Sequence, residues 1–103
     1  MKSTMTICER DGSECWNNKH NKYHRLGDLP AIIHLCGIKE YWVNGRCHRI
    51  GGPAVEWDDG GYSWYIRSKL CKSFKEYQKK TKLSDNEITI LILKYGDIVN
   101  RLY

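Results

Sequence analysis

The feature that most constrains this chain is a phrase stated twice. Residues 41–57 read YWVNGRCHRIGGPAVEW, and their second half, Cys47-His48-Arg49-Ile50-Gly51-Gly52-Pro53-Ala54-Val55, restates Tyr23-His24-Arg25-Leu26-Gly27-Asp28-Leu29-Pro30-Ala31-Ile32, which carries one extra residue. A unit this short cannot bury its own apolar side chains, so repetition predicts stacked units that share a core. Asn44-Gly45 tolerates positive φ at both centres of a type I′ turn, which predicts a hairpin pairing Tyr41-Trp42-Val43 with Arg46-Cys47-His48. Gly51-Gly52-Pro53 then interrupts pairing and opens another strand.

Around this unit the rest falls into order. Before it, Thr6-Ile7-Cys8 and Cys15-Trp16 are candidate short strands; residues 31–35 read as a strand, Cys36-Gly37 as its turn and residues 38–43 as the returning strand. Residues 54–57 and 62–66 follow, joined by the turn Asp58-Asp59-Gly60-Gly61, with Tyr62, Trp64 and Ile66 on one face of the last strand. A third copy starts at Trp64, but Cys71-Lys72 stand where His-Arg is due, and the pattern changes to helical. Ser73 to Glu76 and Ser84 to Glu87 are capping boxes. Phe74 and Tyr77 mark the inner side of the first helix; Ile88, Leu91, Ile92 and Tyr95 mark that of the second, with Gly96 as the left-handed residue ending it. The expected fold is α+β and a single domain: an antiparallel β-meander of short hairpin repeats over residues 1–72, then a C-terminal helical hairpin over residues 73–103 that closes the open end of the sheet.

A chain of 103 residues supports one modest core. No apolar leader opens it, and residues 88–93 are too short to span a bilayer, so the expectation is a cytoplasmic protein without membrane contact. Five cysteines without a CxxC pair fit reduced thiols. Cys8, Cys15, His20 and His24 have histidines at metal spacing, but the interval between ligand pairs is too short for a zinc finger, so no metal and no cofactor are expected. Neither a nucleophile elbow, a zinc-protease helix motif nor a phosphate-binding glycine loop occurs, and the chain reads as a non-enzyme.

The second copy, with Trp42, Asn44-Gly45, His48-Arg49 and Gly52-Pro53-Ala54 in register, resembles the W-x-x-N-G-x-x-H-R-x-x-G-P-A repeats, sometimes called MORN-like, of small proteins from tailed phages and large DNA viruses. The likeness covers residues 23–71. True MORN repeats centre on Tyr-x-Gly and Gly-x-Gly elements that are absent, so their lipid binding is not implied. What the resemblance implies is a viral origin, β-hairpin units whose motif residues carry no catalysis, and, as for many small phage proteins, inhibition of host machinery such as antiviral defence.

Charge and aromatics supply the candidate surfaces. Residues 67–82 hold Arg67, Lys69, Lys72, Lys75, Lys79, Lys80 and Lys82 against Glu76 alone, more than the whole chain's excess of +5. Lys72, Lys75, Lys79 and Lys82 fall at helical spacing, a stripe suited to an acidic protein surface or to phosphates. Trp42, Trp57 and Tyr65 are the aromatics that alternation leaves away from the core-facing set. The repeated pair suggests either structural histidines, each bonded to a carbonyl of its Gly-Pro loop, or Arg25 and Arg49 holding an anion. The leading expectation is an inhibitor that docks on a host protein through Trp42, Trp57, Tyr65, Arg67, Lys69 and the lysine stripe, acting by steric occlusion. Alternatives are nucleic-acid binding by residues 67–82 and a sponge for a small anionic nucleotide at Arg25 and Arg49. An open sheet also allows a homodimer.

Overall fold

The computed structural model describes the backbone of residues 3–8 and 11–102 and the side chains up to Tyr95. It is the expected α+β arrangement, an antiparallel meander of hairpins followed by two helices. One sheet of six strands has the order β1-β2-β3-β4-β7-β8, where β1 is Thr4–Ile7, β2 Glu14–Asn17, β3 Ile32–Ile33, β4 Lys39–Glu40, β7 Val55–Glu56 and β8 Tyr62–Ser63. Two hairpins leave this sheet: β5 (Trp42–Val43) with β6 (Arg46–Cys47), and β9 (Tyr65–Ile66) with β10 (Lys69–Leu70).

The strands expected over residues 38–43 and 62–66 are each broken in two. The breaks fall at Tyr41 and Trp64, 7% and 1% exposed, where the chain leaves the sheet and enters a hairpin. An aromatic at such a corner fills the space between sheet and hairpin, so the period-two pattern runs on while the pairing partner changes. Trp16, inside the unbroken β2, makes the same backbone contact. The amides of His24, His48 and Cys71 donate to the carbonyls of Trp16, Tyr41 and Trp64 at 2.8, 3.0 and 2.8 Å, which makes the copies three. In the first copy a loop over residues 18–22 replaces the tight Asn-Gly turn, with the Asn18 carboxamide accepting from the amides of His20 and Lys22.

Helix α1 (Phe74–Thr81) begins where Ser73 Oγ accepts from the Glu76 amide at 3.1 Å, and helix α2 (Asp85–Leu102) begins on a reciprocal Ser84–Glu87 box. Contrary to expectation, α2 does not end near Tyr95. It kinks there, at φ −126° and ψ 26°, and continues through Gly96. Tyr95 packs edge-on against Trp64 and against Tyr62 of the edge strand β8, and we attribute the kink to these contacts. The inner face of α2 is Ile88 and Leu91; Ile92, assigned to it from the sequence, is 41% exposed, because Tyr95 and Leu91 already fill the contact with Trp64.

Two apolar clusters hold the parts together. Trp64, Cys71, Phe74, Tyr77, Ile88 and Leu91 join the third copy to the helices; Cys47, Ala54 and Val55 lie under the second hairpin. Burying Trp64, Phe74 and Tyr77 contributes about 2–3 kcal/mol each by area. The Tyr77 hydroxyl, itself buried, meets the carbonyls of Arg49, Ile50 and Gly52. That contact ties α1 to the Gly-Gly-Pro loop of the second copy.

Candidate functional site: a cationic groove beside the third hairpin

The repeated residues are bonded within the fold through one face of each histidine and through each arginine's guanidinium. His24 Nδ1 accepts from the Asn44 amide at 3.0 Å, and His48 Nδ1 accepts from the Arg67 amide at 3.0 Å. Each histidine therefore secures the turn of the following hairpin, not its own Gly-Pro loop as expected from the sequence. The arginine takes the loop: Arg25 Nη1 donates to the Pro30 carbonyl and Arg49 Nη1 to the Pro53 carbonyl, while each guanidinium lies 3.8 Å over the aromatic ring of its own copy, Trp16 or Tyr41. Arg49 also forks onto Asp28 through Nε (2.7 Å) and Nη2 (3.2 Å). Burial, the largest single influence, opposes its charge, but the Asp28 carboxylate together with the Tyr41 and Tyr95 hydroxyls raises its affinity for the proton overall. Gly52 is required here, since a Cβ at that position would lie 2.8 Å from Arg49 Nη1.

Arg25 and Arg49 do line one cavity of about 430 Å³, but Asp28 and Glu87 line it as well. Arg49, paired with a carboxylate and stacked on a ring, has little left for an anion. Cys8, Cys15, His20 and His24 are not gathered; among the described residues no group of three or more His, Cys, Asp or Glu side chains is placed to hold a metal. Burial pushes the Cys47 thiol up to about 12, which keeps it protonated.

The conspicuous site lies elsewhere. A groove of about 830 Å³ runs between the second and third hairpins and the end of α1, lined by Arg46, His48, Ile50, Ile66, Arg67, Lys69, Lys80 and Thr81. Among the described residues no carboxylate lines it. Lys80 is balanced by Glu76 at 3.0 Å, whereas Arg46, Arg67 and Lys69 make no salt bridge among the described residues. Arg46, His48 and Arg67 continue into an adjoining cavity that adds Lys22.

The turn at the groove's rim is strained. Arg67 and Ser68 both adopt left-handed backbone, φ 49° and 66°, where the second hairpin uses Asn44-Gly45 at 50° and 79°. Neither Arg nor Ser favours that region. The turn is held by three bonds: Arg67 N–H to His48 Nδ1, Ser68 N–H to the Cys47 carbonyl at 2.8 Å, and Cys47 N–H to Ser68 Oγ at 3.1 Å. Burial first, and then the Arg67 charge, lower the His48 pKa below its ordinary value, so the ring is neutral at neutral pH. With Nδ1 accepting, its proton sits on Nε2.

The residues predicted from the sequence separate into three places. Arg67 and Lys69 enter the groove. Lys72, Lys75, Lys79 and Lys82 are all exposed, and Lys75 and Lys79 line a different, shallower cleft with Glu76, Gln78 and Leu83. Lys80 lies about 100° further round α1 than Lys79 and so turns to the groove. Trp42 and Tyr65 are half-buried in their hairpins, and Trp57, 44% exposed, donates through Nε1 to Ser63 Oγ at 2.8 Å at the far end of the β7–β8 hairpin. Arg46, His48 and Lys80 were not singled out as groove residues; the register of the third copy on the second is what unites them. No helix among the described residues is long and apolar enough to cross a membrane. Comparison with protein-family models, with curated proteins and with solved structures finds no match to this chain.

Proposed function

We propose that this chain is a non-enzymatic binding protein that docks on an acidic surface of another protein and blocks it sterically. In keeping with the repeat resemblance, we place it in a phage, as an inhibitor of a host protein, antiviral defence included, in the host cytoplasm. The observation that carries the reading is the one-sided charge of the third copy and α1. Arg67, Lys69, Lys72, Lys75, Lys79 and Lys82 are exposed, and the single acid among them, Glu76, is engaged by Lys80 and by the Lys72 amide. Such a face speeds encounter with an acidic partner and selects against basic ones. The motif residues favour binding over catalysis, since both histidines spend Nδ1 on backbone amides and Arg49 is held by Asp28.

The test is capture from host lysate on the immobilised protein, with and without nuclease, followed by titration of the purified partner. The expected result is one protein retained after nuclease, inhibited at one-to-one stoichiometry, and released at least tenfold more readily by the K75E/K79E/K82E variant. Loss of every retained species on nuclease treatment overturns the reading in favour of nucleic-acid binding by residues 67–82.

A further inference from the structure

The groove beside the third hairpin holds more than a flat docking face requires. Three cations without a counter-ion, Arg46, Arg67 and Lys69, converge on one concave space of about 830 Å³, within the size range of small-ligand sites. An anion would relieve their mutual repulsion, and among the described residues no side chain supplies one to them. Two of the three are arginines, whose planar forks match phosphate oxygens in pairs. His48 adds a neutral donor, because the Arg67 amide occupies Nδ1 and leaves the proton on Nε2, for which no protein acceptor is found among the described residues. Ile50 and Ile66 supply an apolar wall, and among the described residues no aromatic ring lines the space. Finally, Arg67 is held in place by the strained turn, and backbone strain of this kind gathers at working sites.

We propose that this groove is a binding site for a small molecule carrying a diphosphate or longer polyphosphate, held by Arg46, Arg67 and Lys69 with His48 Nε2–H as a further donor. The non-phosphate portion rests on Ile50 and Ile66. Without a ring to stack on, the site does not select a base, so nucleoside triphosphates with different bases bind alike and a monophosphate binds more weakly. This goes beyond docking on a protein: it shares Arg67 and Lys69 with the docking face but adds Arg46 and His48 and does without Lys72, Lys75, Lys79 and Lys82.

Isothermal titration of the full chain with ATP, CTP, inorganic pyrophosphate, AMP and a single-stranded oligothymidylate tests it. Saturable one-site binding of ATP, CTP and pyrophosphate is expected, with affinities within about threefold of one another and AMP at least tenfold weaker. R46A should lose at least tenfold for ATP. R67N/S68G, which installs the turn sequence of the second hairpin and so remains folded, should do the same. H48N keeps an acceptor for the Arg67 amide while removing the Nε2 donor, and should lose about threefold to tenfold. K75E/K79E/K82E should bind ATP within twofold of the unaltered chain even though it releases a protein partner. The proposal is overturned if neither ATP nor pyrophosphate binds, if R46A and R67N/S68G bind as well as the parent, if the stripe variant loses ATP, or if only the oligothymidylate binds. None of these results bears on whether the lysine stripe captures a protein.

Discussion

At the scale of single residues, Arg49 is the most heavily committed side chain among the described residues. It is 8% exposed, forks onto Asp28, donates to Pro53 and covers Tyr41, and Glu56 stands 3.9 Å from Nη1. Geometry outweighs charge at such a site, because lysine retains the charge but has neither the fork nor the flat face. We expect R49K to cost about 2–3 kcal/mol in urea unfolding, since it loses a charge-assisted fork and a buried stack. D28N should cost only about 1 kcal/mol, because Asp28 is 54% exposed and water can take up part of its role. Equal losses in the two variants would mean that the ion pair, not the fork and stack, anchors the loop. The sequence displayed the repeated pair clearly, yet the roles of its two members could not be assigned from it. Which nitrogen faces which amide depends on where the next hairpin lies, a relation between units that no one unit encodes.

At the scale of elements, the legible features were those whose chemistry is local. Asn44-Gly45 formed the expected turn, with Trp42 opposite Cys47 and Val43 opposite Arg46, and both serine boxes opened helices. What alternation hid were the corners at Tyr41 and Trp64 and the turn at Arg67-Ser68, because Arg-Ser carries no turn signal and is forced into one by its neighbours. That turn is a place where stability has been exchanged for something else. The R67N/S68G substitution should raise the stability of the folded chain by about 1 kcal/mol, the relief of left-handed strain exceeding the loss of the Ser68 Oγ bond to the Cys47 amide. A lower urea midpoint would show instead that the hydroxyl bond dominates. The groove was invisible for a related reason: Arg46, Arg67 and Lys80 are far apart along the chain and adjacent only once the third copy is stacked on the second.

On the scale of the whole molecule, the units and helices are joined through small buried side chains whose reactivity reports on separate regions. Cys15 lies in β2, Cys47 under the second hairpin and Cys71 in the helical cluster, all buried, whereas Cys36 is exposed at the β3–β4 turn. Alkylation followed by peptide mass spectrometry should label Cys36 within minutes at neutral pH. Cys15, Cys47 and Cys71 should react together and only at the rate of global opening, if the stack is one cooperative body. Earlier labelling of Cys71 than of Cys15 would show that the helices open independently of the repeats.

The substitution of histidine by cysteine in the last copy gives the array a direction. His24 and His48 each reach forward to hold the hairpin that comes after them, and Cys71, at the same backbone position, has no hairpin to hold and turns its sulfur into the core beneath α1. The chain is thus written like a sentence whose clauses each announce another, until one arrives that does not. Duplication of the second copy would lengthen the array in its interior, since every histidine would still find a turn ahead of it. A unit appended after Cys71 would find no such hold, so the array stops at that position.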